Sequence, residues 1–265
     1  MGKLDDERAL YWNKSYTKYW KSRVEESLID NKNSLVLTGD IKTEGDWVYR
    51  KIFEKDPLVS GQLLDVGCAW GRLFDLYLNY DLEITGLDIS ESMLKEAKKN
   101  YGNNPRIISL DNAIAENLPY KKNSFNNIVC VAVFDATYQH KALSEFLRVL
   151  IPGGKLYLTG KSNKYPSDDK LALDAEIGAR KKGHPNFFTN LELMINQLDQ
   201  LPISILSSYF FPKRGDFADF KYEISREEPF YEWFLVLQLN KDITDIKFDE
   251  FSDKFSDTFK NSKLS

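Results

Sequence analysis

Gln62-Leu63-Leu64-Asp65-Val66-Gly67-Cys68-Ala69-Trp70-Gly71-Arg72 is the stretch from which the rest of the chain can be read. A short apolar run reaches an acidic residue and falls into a glycine-containing turn. This is the pattern of a strand that carries one carboxylate to a tight turn and then a helix. Little side-chain bulk in such a turn lets a ligand approach the backbone closely. The stretch therefore reads as the seat of a nucleoside-containing cofactor.

Outward from it, strand-like and helix-like runs alternate, as in a parallel sheet covered by helices. Strands are expected at 62–66, 83–88, 106–110, 126–134, 155–159, 203–210 and 231–239. The run 126–134 is apolar almost throughout, which suits a central strand buried on both faces. Helices are expected near 72–79, after the natural N-cap Ser90 with Glu91 next, and over 141–150, where Pro152-Gly153-Gly154 stops the run. Thr189 and Glu192 have capping-box spacing ahead of a helix bearing Leu191, Met194, Ile195 and Leu198.

Two strands thus end on carboxylates, Asp65 and Asp88. In doubly wound folds an acidic residue closing the second strand accepts hydrogen bonds from ribose hydroxyls, which assigns Asp88 that role. A dinucleotide site would need G-x-G-x-x-G, but the corresponding positions here are Gly67, Ala69 and Arg72, with the next glycine at Gly71. That opening suits a cofactor without a phosphate.

Further segments keep company with this turn. Gly86-Leu87-Asp88-Ile89-Ser90-Glu91-Ser92-Met93-Leu94 follows it, then Ala115-Glu116-Asn117-Leu118-Pro119-Tyr120, then the run from Leu143 through Pro152-Gly153-Gly154-Lys155-Leu156. In this order, residues 60–160 resemble a class I S-adenosylmethionine-dependent methyltransferase of the type 11 group. The resemblance implies an α/β, doubly wound, Rossmann-like sheet of seven strands in the order 3-2-1-4-5-7-6, strand 7 antiparallel, with helices on both faces. It implies S-adenosyl-L-methionine as cofactor and S-adenosyl-L-homocysteine as product. The cofactor contacts it implies are Asp65, Gly67, Cys68, Ala69, Gly71, Asp88, Ile89, Met93, Ile114, Ala115, Glu116 and Val131. Ile114 stands where the family has an Asp facing the adenine; Asp111 and Asn112 lie just upstream as alternatives. Asn126 likewise replaces an expected Asp.

The division expected is an N-terminal helical extension or lid over 1–55, a cofactor-binding domain over 56–240 with a substrate-cap insertion at 161–188, and a C-terminal tail over 241–265, weakly helical or frayed. The extension carries Tyr11, Trp12, Tyr16, Tyr19 and Trp20 near helical spacing over 5–27, either packing on the domain or closing over a ligand. Residues 34–47 read as a connecting loop, followed by a short helix. Asp135 and His184 are the candidate catalytic groups, and Tyr138, His140, Glu176 and Arg214 the candidate acceptor contacts. His140 also fits a helix-cap or solvent role.

A net charge of −4 over 265 residues lacks the footprint of a nucleic-acid grip. No run is long and apolar enough for a membrane span, and no hydrophobic leader opens the sequence, so a cytoplasmic location is expected. Two cysteines, Cys68 and Cys130, make no disulfide framework or metal set. The expected function is methyl transfer to an O or N nucleophile of a small molecule, such as a sugar derivative or metabolite. The alternatives are an RNA or protein methyltransferase, or a cofactor-binding partner protein that transfers no methyl group.

Overall fold

A computed structural model describes residues 8–16, 45–164, 169–181, 186–213 and 223–254. His184, Arg214, most of the expected 5–27 helix, the loop before residue 45 and the tail beyond residue 254 lie outside these residues.

The strands are β1 (Gly61–Val66), β2 (Leu82–Asp88), β3 (Ile107–Asn112), β4 (Phe125–Cys130), β5 (Leu150–Lys161), β6 (Phe187–Thr189), β7 (Ile203–Phe211), β8 (Glu232–Leu239) and β9 (Ser252–Lys254). Seven of them form one sheet in the order β3-β2-β1-β4-β5-β8-β7. The first five run parallel, while β8 is antiparallel to both β5 and β7. Leaving out the short β6, this is the expected 3-2-1-4-5-7-6 with the last strand antiparallel. The described helices are α1 (Gly45–Lys55), α2 (Phe74–Tyr77), α3 (Glu91–Tyr101), α4 (Gln139–Val149), α5 (Lys170–Lys181) and α6 (Leu191–Leu198), with a π-helical turn at Tyr11–Tyr16. None is long and apolar enough to cross a membrane among the described residues.

Two apolar clusters cover the two faces of the sheet. One joins α4 and α6 to β4, β5 and β8 through Phe134, Phe146, Met194 and Trp233. The other seats α1 and α2 through Tyr49, Phe53, Phe74 and Tyr77 against Tyr157, Tyr209 and Phe234. The strands that both layers cover are the near-continuous apolar runs of the sequence, as burial on two faces requires.

Five local expectations change, the first being that β5 opens at Leu150, so Pro152-Gly153-Gly154 lies within the strand and the helix before it already ends at Val149. The helix expected at 72–79 is regular only over Phe74–Tyr77, with hydrogen-bonded turns on either side. Strand β4 ends at Cys130 rather than 134, because Ala132 takes a left-handed φ of 58° and Phe134–Ala136 turn into a 3-10 helix. The cap of α6 is Asn190, whose Oδ1 accepts the Leu193 N–H, and not Thr189. Thr189 belongs to β6, and its hydroxyl donates to Gln139 Oε1 at 3.0 Å. Lastly, residues 241–254 are not frayed: Phe248 and Phe251 are buried, and β9 pairs antiparallel with β6. The Phe251 ring lies 6.5 Å from Phe134 and 6.2 Å from Phe248, so apolar burial holds a stretch whose charges suggested solvent.

Candidate cofactor and acceptor site

Parallel strands β1, β2 and β4 bring their carboxyl ends together beside the 67–71 turn, the position where open α/β sheets bind ligands. Gly67 has a φ of 77° and Gly71 a φ of 81°. A Cβ on Gly67 would lie 2.3 Å from Val133 Cγ2, and one on Gly71 2.7 Å from the Tyr101 ring, so both positions require glycine. Ala69 also stands in the left-handed region, at φ 50°, a strain of about 1–2 kcal/mol that a glycine would avoid.

Most backbone N–H groups of this turn are committed within the protein. Gly67 and Cys68 both donate to Leu87 O, Gly71 and Arg72 to Cys68 O, and Ala69 to Asp88 Oδ2 at 2.9 Å. Few N–H groups are therefore left to form the nest that would cradle a pyrophosphate. In its place stand two nearly buried carboxyls. Burial pushes Asp65 up to about 7, with Asp88 adding to the rise and Arg72 opposing it. Burial likewise lifts Asp88 to about 6 against the pull of the backbone N–H groups of Ser90 and Ala69. Such a donor and acceptor set fits a nucleoside bearing positive charge and hydroxyls, and it does not fit a phosphate.

Asp88 Oδ1 accepts the Ser90 N–H at 2.8 Å, and Ser90 Oγ in turn caps α3 by accepting the Met93 N–H. Met93 is buried, Ile89 is half-buried beyond Asp88, and Cys68 and Val131 are buried below the turn. Ile114 is half-buried and Ala115 buried. Of the two upstream alternatives, Asp111 Oδ2 accepts from Tyr120 and Ser109, each at 2.8 Å. Asn112 Nδ2 donates to the carbonyls of Asp88 and Ile89, tying β3 to the end of β2. The Leu118-Pro119-Tyr120 loop is held from α4, where Glu145 accepts the Leu118 N–H and Arg148 donates to the carbonyls of Leu118 and Tyr120.

Glu116 has a different set of partners from the neighbouring motif residues. Its carboxylate receives the Arg8 guanidinium at 2.8 and 3.0 Å and the Tyr138 N–H at 2.7 Å. The Tyr138 ring is covered by Arg8 and Lys141 and leans on Phe187. His140 lies in the first turn of α4. Burial lowers its pKa, and the nearby Glu250 and Glu116 oppose that while Lys141 adds to it.

Beyond β4 and β5 a second polar group forms. Lys161 Nζ lies 2.8 Å from Asp135 Oδ2, 2.8 Å from Glu176 Oε1 and 3.3 Å from Asn186 Oδ1. Glu176 also accepts from Asn186 Nδ2 and from the Tyr231 hydroxyl. The structure thus brings the candidates Asp135 and Glu176 together through a lysine that sequence reasoning missed. Lys161 ends β5 and its partners lie 15 to 26 positions away on both sides, so no spacing signal marked it.

Asn126, where an Asp was expected, accepts the Gln62 N–H at 2.9 Å. The adjacent Asn127 accepts from Val59 N and donates Nδ2 to Val59 O, clamping the entry to β1. A carboxylate at 127 cannot make that donation. Asn127→Asp is expected to cost about 1–3 kcal/mol, read as a lower denaturant midpoint with an unchanged slope.

Residues 64–158 match the family model described as a methyltransferase domain. The chain is 32% identical over 171 residues to the ubiquinone/menaquinone biosynthesis C-methyltransferase UbiE of Bartonella bacilliformis, covering 61% of this chain and 63% of that protein. It is 29% identical over 140 residues to the O-methyltransferase cnsE of Penicillium expansum, covering 50% and 51%. The chain therefore spans between half and just under two thirds of the length of these relatives. A solved SAM-dependent methyltransferase from Methanosarcina mazei superposes with a TM-score of 0.51 at 16% identity, over 71% of this chain and 97% of that one, which shows the fold.

Proposed function

We propose that this chain, whose residues 64–158 match a methyltransferase domain, binds S-adenosylmethionine and methylates an oxygen or nitrogen nucleophile of a small molecule. The observation that carries this reading is the pairing of a 67–71 turn whose N–H groups are mostly committed within the protein with the buried carboxyls Asp65 and Asp88. S-adenosylmethionine supplies an electrophilic methyl group on a sulfonium. Asp88, with two of its acceptor sites already committed to backbone N–H groups, has others left for ribose hydroxyls. Asp65 offers negative charge to the cationic end of the cofactor, and Ile89, Ile114 and Ala115 offer apolar surface to the adenine. Asp135, held by Lys161, is the acceptor-side carboxylate and the candidate base for a hydroxyl acceptor. Positioning and exclusion of water account for much of the rate in such a site.

Titration calorimetry with S-adenosylmethionine and S-adenosylhomocysteine is the test. Saturable binding at micromolar concentrations is expected, and no heat up to about millimolar ligand, a free energy near −4 kcal/mol, would sink the reading. The ion-paired Asp135 and Glu176 support a second reading, a cofactor-binding protein that transfers no methyl group. Binding without turnover over a panel of phenols, sugars, amines and carboxylic acids would favour it.

A further inference from the structure

Residues 8–16 touch three separate strand-end connections. Arg8 is 7% exposed and grips Glu116, which follows β3, with both arms of its guanidinium. The same carboxylate holds the Tyr138 N–H after β4, and the guanidinium carbon lies 5.4 Å from the centre of the Tyr138 ring. Five residues on, Asn13 Oδ1 accepts the Ser92 N–H and the Ser90 hydroxyl, each at 3.1 Å, at the α3 end just past Asp88. The Trp12 carbonyl oxygen lies 3.4 Å from the same hydroxyl, as an alternative acceptor for its one proton. Leu10 stands 52% exposed and adds little to this docking, whereas Arg8 and Asn13 each hold two partners. Asn13 lies within the π-helical turn Tyr11–Tyr16, a geometry that recurs at functional sites.

We propose that residues 8–16 form a further wall of the cofactor site and that the Arg8–Glu116 pair is its latch, so that cofactor exchange requires the pair to open. This rests on the cofactor reading above. The contacts bridge the connections carrying Asp88–Ile89 and Ile114–Ala115, the residues assigned to the adenosine, and they tie both to the start of α4. A two-pronged charge-assisted pair is strong enough to hold the segment down and specific enough to release it as a unit. Glu116 accordingly acts as a positioning residue through Arg8 and does not itself touch the cofactor.

The experiment is stopped-flow release of S-adenosylhomocysteine from the full chain, alongside thermal melting of each variant. Glu116→Gln and the apolar double substitution R8M/E116M are expected to release it about tenfold faster or more, about 1.4 kcal/mol for each factor of ten. The double substitution removes both charges, so no buried ion is left alone and the fold is expected to survive. Asn13→Ala, which leaves the ion pair intact but frees the far end of the wall, is expected to speed release as well. Unchanged release rates in folded R8M/E116M overturn the wall and latch while leaving the cofactor reading in place. Failure of the unaltered chain to bind S-adenosylhomocysteine overturns both.

Discussion

Asp88→Asn is expected to bind S-adenosylhomocysteine about a hundredfold more weakly than the unaltered chain, or worse, a loss of roughly 3 kcal/mol. Both carboxylate oxygens already accept backbone N–H groups, from Ser90 at 2.8 Å and from Ala69 at 2.9 Å. An amide keeps one acceptor oxygen and must turn its NH2 toward one of those donors. Either the contact that holds Ala69 in its left-handed conformation or the one that holds the Ser90 N–H is then lost, and the site loses its anionic acceptor for a ribose at the same time. Titration calorimetry reads the change, and an affinity within threefold of the unaltered chain would remove Asp88 from the site. The same titration depends on pH. With Asp65 lifted to about 7 and Asp88 to about 6, both carboxyls take up protons as the solution is acidified toward pH 6, and affinity falls. On the empty fold these groups act with the opposite sign. Their folded pKa values lie above the ordinary 3.8, so the folded chain holds the extra protons between about 4 and 7. Their destabilising contribution is absent below that window and complete above it.

The geometry of the candidate cofactor site was legible because it is local. Asp65, Gly67, Gly71, Asp88 and Ser90 lie on two strand–turn–helix units, where period, acidic strand ends and cap spacing are written within a dozen residues. The alternation pointed to a parallel sheet covered by helices, while the strand order was what the resemblance to the methyltransferase family implied. What the sequence hid depends on pairing at a distance. Arg8 and Glu116 are 108 positions apart, and nothing near either residue marks the other. Strands β6 and β9 are three residues each, too short to show a period of two, so Phe248 and Phe251 read as part of a charged tail when they are core. The cap of α6 was displaced by one residue because Thr189 and Asn190 are both capping types. Only the strand partner of Thr189 decides between them. Asn126 read as a missing carboxylate, whereas the backbone it serves needs an acceptor that an amide supplies equally well.

Lys161→Met is expected to cost about 3–5 kcal/mol of folding stability, the scale of stranding buried charge. All three N–H donors of the ammonium have acceptors, on Asp135, Glu176 and Asn186. Burial works against its charge, but the carboxylates of Asp135 and Glu176 outweigh that, and the net effect raises its pKa well above the usual lysine value. Without it, two carboxyls with only 12% and 2% side-chain exposure face each other and must protonate or move apart. Glu176 is a polar hold on α5, which also packs Ala172 with Phe188 and Tyr231, and its remaining partners, Asn186 and Tyr231, are neutral. The loss therefore falls unevenly: backbone hydrogen exchange across Lys170–Lys181 is expected to quicken more than exchange in β4. Lys161→Arg keeps the charge, but its planar fork does not match three acceptors converging on one nitrogen, so an intermediate loss is expected. The double substitution K161M/E176Q removes one positive and one negative charge and should recover part of the stability lost by K161M. A K161M chain with an unchanged denaturant midpoint and unchanged exchange in α5 would show that the lysine does not join Asp135 to α5.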